Sequence, residues 1–400
     1  MNDLLNSETF QNRFNQAQRF IAPTLRQAGL DLSKMRALEI GCGEAAKVCA
    51  LAPLFETYVG IDLDPHDLAI GRANVEARGI QNAELRLQAA NDLPQLLAQE
   101  SFDVIFLYAV IEHLTIEERL NTLKICWDAL PPHGLLYIGE APNRIAPIDY
   151  HSSKMPYYNL LPRELAIKLV DRSGHEKWRQ RVWAQETTEL GLYRNGQHVG
   201  FEDFDLGLMP MDQFERHLIV DNWSEAMMNL YPLRWFEPRN LEDFEFFAAS
   251  GTSEYPIPQM FGRYWIEGIL AKTPTAKPLP SVRFLQLSGV DQKRIHRDRL
   301  GVPIHGVHFN STARVTVAPE ARELSLGISD KSYGRFQLLW GEEVIGDYAV
   351  EDIRAANLGI WTLQSWKTVR LPQAAEGKAV EVTIRPTEGS WLGLCPPFTR

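Results

Sequence analysis

Apolar runs that are too short for helices recur through the first part of the chain. A helical pattern with apolar residues on one face covers residues 7–29, and further runs follow at intervals of about 20 to 30 residues. The runs are ALEIGCG, TYVGIDLD, AELRLQAA, FDVIFLYAV and GLLYIGEAP. Strands that alternate with helices are typical of a parallel sheet, because each helix supplies the long crossover between neighbouring strands. The pattern therefore predicts an α/β fold with a doubly wound parallel sheet.

The pattern changes twice further along the chain. Residues 201–260 hold twelve acidic residues against three arginines, together with eleven aromatic residues, and this composition predicts a helical and aromatic insertion. After the segment TPTAKPLP, short alternating runs such as ARVTV and AVEVTIR predict a C-terminal all-β sandwich. We expect residues 1–145 to form the α/β core with its N-terminal helix, 146–275 a cap region that ends this domain, and 282–400 the β domain.

Charge and composition exclude several classes of protein. The formal net charge is −10, and no run of Lys or Arg provides the basic patch that nucleic-acid binding needs. The N-terminus lacks the features of a signal peptide, and no window approaches about 18 uninterrupted apolar residues, so we expect a cytoplasmic protein without an integral membrane segment. The four cysteines show no spacing that suits zinc, and no spacing of possible ligands demands a metal site.

A glycine loop follows the first apolar run. Gly41, Cys42 and Gly43 stand between that run and a helical stretch, where glycines allow a tight turn and a close approach of the backbone to a ligand. Asp62 ends the second run, where a carboxylate can accept hydrogen bonds from both hydroxyls of a ribose. The combination predicts a ligand that contains a nucleoside.

Two cofactors fit this loop. The spacing Gly-x-Gly-x-x-Ala, together with the later acid, also satisfies the pattern of NAD-binding proteins. Glu39 stands two residues before the first glycine, where it would repel a pyrophosphate but suits a cationic ligand that carries an amino group. Its presence favours S-adenosylmethionine over NAD.

The same motifs resemble those of the class I S-adenosylmethionine-dependent methyltransferases, which have a Rossmann-like fold. The resemblance covers roughly residues 35–145, and it includes the acid before Gly-x-Gly, the acid that ends the second strand, and the runs FDVIFLYAVIEHL and HGLLYIGEAPN. It implies that Glu39 and the two glycines of the loop hold the methionine end of the cofactor. It also implies that Asp62 holds the ribose and that Leu63 packs on the adenine.

Three further positions concern the cofactor. The family often shows an Asp beside the adenine just before Leu-Pro, and the chain has Asn-Asp-Leu-Pro there, so that Asn91, Asp92 or only backbone groups serve the adenine. Tyr108 ends the fourth run, where an aromatic ring can stabilise the sulfonium cation. The alternative for Tyr108 is packing in the core.

Two histidines are candidate bases for a hydroxyl acceptor. His113 directly follows the fourth run, so we expect it at the carboxyl edge of the sheet, where open α/β folds bind ligands. His151 lies in a polar segment after the fifth run, with Asp149 as its orienting partner or as a metal ligand. This segment resembles a Pro-Asn-Arg…Asp…His run of some bacterial methyltransferases associated with surface glycans. The alternative is that these three residues only cap helices and form turns.

We therefore expect an S-adenosylmethionine-dependent methyltransferase that O-methylates a sugar or glycan-like acceptor. The aromatic acidic stretch and the extra β domain support such an acceptor, since aromatic rings bind sugars and small sandwiches often bind glycans. The alternatives are an N-methyltransferase of a small amine, an NAD-dependent oxidoreductase, and a catalytically silent binding or assembly subunit. The sequence also allows a homo-oligomer.

Overall fold

The part of the chain that the computed structural model describes comprises residues 7–27, 30–89, 92–146, 148–230, 259–276, 279–280, 282–290, 295–297, 303–355, 364–374 and 377–400. The chain divides into two units. The first unit consists of Met1–Asn222 and Pro256–Leu279, and the second consists of Trp223–Tyr255 and Pro280–Arg400. The three segments expected from the sequence stay a prediction.

A mixed sheet forms the centre of the first unit. Its strands are β1 (Arg36–Ile40), β2 (Thr57–Asp62), β3 (Ala83–Leu87), β4 (Val104–Tyr108), β5 (Leu135–Pro142), β6 (Leu218–Asp221) and β7 (Trp265–Ala271). They lie in the order β3-β2-β1-β4-β5-β7-β6. The strands β1 to β5 pair in parallel, as the sequence predicts, whereas β7 is antiparallel to both β5 and β6. The predicted Rossmann-like α/β fold is confirmed. The sheet is not wholly parallel, because β7, the last of its strands in the sequence, runs in the opposite direction to the others.

Helices flank this sheet. They are α1 (Glu8–Gln16), α2 (Ala22–Gln27), α3 (Ala46–Leu51), α4 (Pro65–Ala77), α5 (Leu93–Gln99), α6 (Ile116–Ala129), α7 (Arg163–Leu169), α8 (Glu176–Trp183), α9 (Thr188–Arg194), α10 (Phe201–Gly207) and α11 (Met211–His217). The first two are joined by a π-helical turn over Ala17–Ile21, and the Ser7 hydroxyl caps α1 by accepting a hydrogen bond from the Phe10 N–H at 3.0 Å. The predicted N-terminal helix is therefore interrupted just before its proline.

The two faces of the sheet carry different side chains, because successive residues of a strand point to opposite sides. One face presents aliphatic residues such as Leu38 and Leu107 to a buried cluster that includes Leu123 of α6. The other face carries an aromatic stack in which the Phe106 ring lies 5.8 Å from the Tyr58 ring and 5.4 Å from the Tyr137 ring. Both faces are buried, so ligands reach the sheet at the ends of its strands.

The second unit is an antiparallel β structure. Its strands are β8 (Arg283–Phe284), β9 (Ile295–Arg297), β10 (Pro303–His308), β11 (Ala313–Val317), β12 (Glu323–Ser329), β13 (Arg335–Trp340), β14 (Glu343–Ala349), β15 (Gln364–Arg370), β16 (Val380–Pro386), β17 (Trp391–Leu394) and β18 (Phe398–Thr399), and its helices are α12 (Glu225–Leu230) and α13 (Val350–Ala355). One sheet has the order β8-β18-β12-β17-β10-β9, with β15 paired to β12, and the other has the order β11-β16-β13-β14.

The two sheets of this unit share one core. Leu326 of the first sheet and Phe336 of the second belong to the same buried cluster. The predicted C-terminal sandwich is therefore confirmed. Trp223, from the acidic aromatic stretch, packs edge-on against Phe284 and Phe398 of this unit, with ring centroids 5.7 Å away in each case.

Within the described ranges, no helix has the length and hydrophobicity needed to cross a membrane.

Candidate functional site

A cleft of about 680 Å³ lies at the carboxyl ends of the parallel strands in the first unit. Its lining consists of Ile40, Gly41, Ile61, Asp62, Leu63, Gln88, Ala89, Ala109, Val110, His113, Leu114, Glu118, Gln185 and Arg194. Four predicted site residues are therefore brought together, namely Gly41, Asp62, Leu63 and His113. Each of the four follows the end of a predicted strand, which is why the sheet brings them to the same edge.

The glycine loop is shaped to admit a ligand. Gly41 has a φ of +74°, and a Cβ at this position would lie 2.5 Å from Cγ2 of Val110. Gly43 also lies in the left-handed region, with a φ of +50°. The N–H groups of Gly41 and Cys42 both donate to the Ile61 carbonyl, at 2.8 and 3.1 Å. The loop is thus pinned against β2, and its first position has no room for a side chain.

The carboxylate of Asp62 is held in a fixed orientation at the cleft. Its Oδ2 accepts a hydrogen bond from the Gly43 N–H at 2.7 Å, and its Oδ1 accepts one from the Asp64 N–H at 3.0 Å. A carboxylate oxygen accepts more than one hydrogen bond, so both oxygens keep capacity for hydroxyl groups in the cleft. This geometry is what the predicted ribose site requires.

Glu39 and Tyr108 lie behind the loop, outside the residues that line the cleft. Oε2 of Glu39 accepts a hydrogen bond from the Tyr58 hydroxyl at 3.0 Å, and Nζ of Lys47 lies 3.8 Å from its Oε1. The same Lys47 Nζ lies 4.4 Å from the centroid of the Tyr108 ring. Burial raises the pKa of Glu39. The cation that both residues face in this structure is therefore Lys47.

Two further predicted cofactor positions, Cys42 and Asp92, also lie away from the cleft lining. Cys42 is buried with its sulfur against β2, and burial raises the pKa of this thiol. Asp92 is exposed, and its Oδ2 accepts a hydrogen bond from the Ala89 N–H at 3.4 Å. Asn91 lies outside the described residues. At the end of β3 the cleft is lined by Gln88 and Ala89 instead.

Arg194, which the sequence pattern did not indicate, forms two hydrogen bonds with His113 that together clamp this residue. Nδ1 of His113 lies 3.1 Å from the carbonyl oxygen of Arg194, and the Arg194 guanidinium donates to the His113 carbonyl at 3.0 Å. The guanidinium also binds both carboxylate oxygens of Glu118, at 2.6 and 2.8 Å. A carbonyl oxygen can only accept, so Nδ1 carries the proton and Nε2 keeps a lone pair. Burial lowers the pKa of His113, which favours the neutral form of its ring.

A buried carboxyl and a second imidazole lie beside His113. Oε1 of Glu112 is 3.7 Å from Nε2 of His113, and the His151 ring centroid is 6.0 Å from that of His113. Neither carboxyl oxygen of Glu112 has a hydrogen-bond partner among the described residues. The buried Nδ1 of His151 has none there either. Burial raises the pKa of Glu112 to about 8 and lowers that of His151 to about 3.

Asp149 contacts His198 and the following turn, and no hydrogen bond joins it to His151 among the described residues. It is fully buried, and its oxygens accept hydrogen bonds from the Ser152 N–H and hydroxyl and from the Ser153 N–H, at 2.6 to 2.8 Å. Its Oδ1 lies 3.3 Å from Nε2 of His198. The pairing with His198 depends on packing between residues 49 positions apart in the sequence, so no local pattern indicates it.

Parts of the chain are similar in sequence to a known family and to known proteins. Residues 38–138 match the family described as "Methyltransferase domain". An uncharacterized protein of Haemophilus influenzae is 32% identical over 102 residues, which are 25% of this chain and 40% of that protein. The ubiquinone biosynthesis O-methyltransferase of Cereibacter sphaeroides is 33% identical over 181 residues, which are 44% of this chain and 64% of that enzyme.

A solved structure aligns more weakly. The crystal structure of an S-adenosylmethionine-dependent methyltransferase from Clostridium acetobutylicum has 15% sequence identity and a TM-score of 0.31, over 35% of this chain and 55% of that chain. The chain thus spans between 40% and 64% of the length of these proteins.

Proposed function

Since residues 38–138 form a methyltransferase domain of the class I S-adenosylmethionine-dependent family, we propose that this protein transfers a methyl group from S-adenosylmethionine to a hydroxyl group. The predictions of the family and of its cofactor are confirmed. The observation that supports the transfer is that one cleft holds the glycine loop, the Asp62 carboxylate and the neutral imidazole of His113. The cellular location, the absence of nucleic-acid partners and a homo-oligomer stay predictions.

The residues of the cleft fit the cofactor. A Cβ at Gly41 would collide with Val110, so the chain keeps a bare backbone where the methionine end would lie. Asp62 offers oxygens to the ribose, and the Leu63 side chain, which is 74% exposed, offers an apolar surface to the adenine. When bound, S-adenosylmethionine supplies a methyl group on a sulfonium.

The acceptor end of the cleft suits a polar ligand. Gln185, Glu118 and Arg194 line the cleft beside His113 and provide both hydrogen-bond donors and acceptors. We propose a sugar or glycan-like acceptor as the class to test first. The Cereibacter relative carries O-methyltransferase in its name, which agrees with transfer to an oxygen.

The acceptor hydroxyl must lose its proton during transfer. We assign this step to the imidazole groups of His113, which lines the cleft, and of His151, whose ring centroid lies 6.0 Å from that of His113. We propose a supporting role for Asp149, because it fixes His198, whose ring centroid lies 6.3 Å from that of His151. Most of the remaining catalysis is positioning, since a sulfonium methyl group is already reactive.

Calorimetric titration of the full chain with S-adenosylmethionine and, separately, with NAD tests the proposal first. We expect binding of S-adenosylmethionine alone. A screen with a labelled methyl group then compares sugars, phenols and amines as acceptors. Methylated amines without methylated alcohols would contradict the O-methyltransferase, and binding of neither cofactor would favour the silent subunit.

Replacement of Asp62 by alanine tests the ribose site. We expect Asp62→Ala to weaken S-adenosylmethionine binding by about 1.5 to 3 kcal/mol, or roughly 10-fold to 150-fold in Kd, because charge-assisted hydrogen bonds are lost. Asp128→Ala is the matched control, since that carboxylate is exposed on α6 and does not line the cleft. Equal affinities of the two variants would contradict the placement of the ribose.

A further inference from the structure

We propose that Glu112, His113 and His151 bind a divalent transition-metal ion, which activates the acceptor hydroxyl. This inference rests on the proposed function, because it explains how the two imidazoles act on the acceptor. The sequence assigns no residue to a metal site by ligand spacing and offers only Asp149 as a possible ligand. The spacing gave no signal, since His151 lies 38 positions after His113.

The distances suit a metal ion. One ligand atom from each of the three side chains lies within 4.8 Å of the other two. Two ligands of a tetrahedral ion, each bound at about 2.1 Å, are about 3.4 Å apart. The separation of 3.7 Å between Oε1 of Glu112 and Nε2 of His113 is close to this value. The bound of 4.8 Å exceeds the tetrahedral separation by about 1.4 Å at most, so a small shift of the side chains brings all three onto one ion.

The cluster also has polar atoms that need a partner. Glu112 is 1% exposed, and in the described ranges neither of its carboxylate oxygens has a hydrogen-bond partner. A buried carboxyl group whose oxygens have no hydrogen-bond partner costs free energy in either protonation state. The nearest cationic side chains are used elsewhere, since Lys47 lies against Glu39 and Arg119 is bound to Asp203. A cation between Glu112 and the two imidazoles would satisfy these oxygens.

The surroundings of the cluster fix its ligands. Metal-bound histidines usually donate their other ring N–H to a carbonyl or carboxylate, which orients the free lone pair. His113 has this arrangement, because its Nδ1 donates to the Arg194 carbonyl. The backbone of Glu112 is held by the Gln197 N–H, which donates to its carbonyl at 2.7 Å. Two imidazoles and one carboxylate suit zinc, iron, cobalt and related divalent ions.

Three protein ligands leave open positions on the ion. The acceptor hydroxyl can bind there, and the ion lowers its pKa so that the proton passes to water. The resulting oxygen attacks the methyl carbon, and the bond between that carbon and the sulfonium sulfur breaks with its electron pair left on sulfur. The products are a methyl ether and the neutral thioether form of the cofactor, so charge and atoms balance.

Cobalt binding tests this site directly. The full chain is stripped with a chelator and titrated with Co²⁺, and the visible d–d absorption is followed. We expect one equivalent of Co²⁺ to bind, and Glu112→Gln and His151→Asn each to weaken its affinity at least about 10-fold. His133→Gln is the control, because His133 also pairs with a carboxylate, at 2.6 Å from Asp103, but at the exposed surface. The control should bind Co²⁺ like the parent.

Calorimetry with S-adenosylmethionine on the same samples shows that each variant is folded, and it separates the two proposals. If the parent binds the cofactor but no stoichiometric Co²⁺, or if Glu112→Gln and His151→Asn bind Co²⁺ as the parent does, the metal site is wrong and the methyltransferase stands. If S-adenosylmethionine does not bind, the proposed function itself is overturned.

Discussion

Replacement of His113 by alanine should lower the turnover number by about 10²-fold to 10⁴-fold while leaving the affinity for S-adenosylmethionine nearly unchanged. His113 lines the cleft next to the acceptor end, and its clamp by Arg194 leaves a lone pair on Nε2. The variant loses the group that acts on the acceptor proton, whether directly or through a bound ion, whereas the contacts at Gly41 and Asp62 remain. Steady-state kinetics and calorimetry on the same samples measure the two quantities.

The clamp allows a finer version of this experiment. Glutamine at position 113 can still donate a hydrogen bond to the Arg194 carbonyl, but it offers no nitrogen lone pair. His113→Gln should therefore lose turnover almost as fully as His113→Ala, whereas the surface variant His133→Ala should keep the parent rate. A rate for His113→Gln close to that of the parent would show that His113 acts only through its packing. If His151→Ala also keeps the parent rate, methyl transfer depends on positioning alone.

The sequence predicted the first five strands and the glycine loop because these depend on local pattern. Each strand is a short apolar run followed by a helical stretch, and the loop residues follow directly from the end of β1. The strands β6 and β7 gave no such signal. The first is only four residues long, and the second carries Glu267 in its interior. That carboxylate is tolerated because it accepts a hydrogen bond from the Glu140 N–H at 2.8 Å, a contact that only the folded sheet provides.

The sequence predicted the site residues that directly follow a strand, as it predicted the strands themselves, but it did not predict their partners. Asp62 and Leu63 follow β2, so their place at the cleft could be inferred from the strand pattern. The partners of the charged groups could not, because they come from distant elements. Arg194 reaches His113 from α9, and Lys47 takes the position that we had predicted for a cation of the ligand, beside Glu39. The topology of the sheet determines the side chains that line a cavity. The packing of distant elements determines the charged groups that pair.

A second large effect is expected at a buried arginine that joins the sheet edge to the cap region. Arg119 is 1% exposed, and its guanidinium binds Asp203 Oδ2 at 2.8 Å. It also donates to the carbonyl of Ile111 at 2.8 Å and to the carbonyls of Gln197 and His198 at 3.1 and 3.3 Å. One side chain thus holds the residue before Glu112 and the segment that carries His198.

Arg119→Met should destabilise the first unit by about 3 to 5 kcal/mol, because it leaves the Asp203 carboxylate buried without its charge partner. The measurement is differential scanning calorimetry of the full chain, in which the transition of the first unit is the one that S-adenosylmethionine raises. Lys124→Met is the matched control on the same helix, since the pair of Lys124 with Asp128 is exposed and contributes little.

The double variant Arg119→Met, Asp203→Asn separates the two contributions of this arginine. Removing the second charge should recover part of the lost stability, because an uncharged amide is less costly to bury than an unpaired carboxylate. The three carbonyls of Ile111, Gln197 and His198 stay without their donor in both variants, so turnover should remain low even where stability returns. A double variant that recovers turnover together with stability would show that Arg119 serves the fold alone, and a single variant as stable as Lys124→Met would show that the buried pair contributes little.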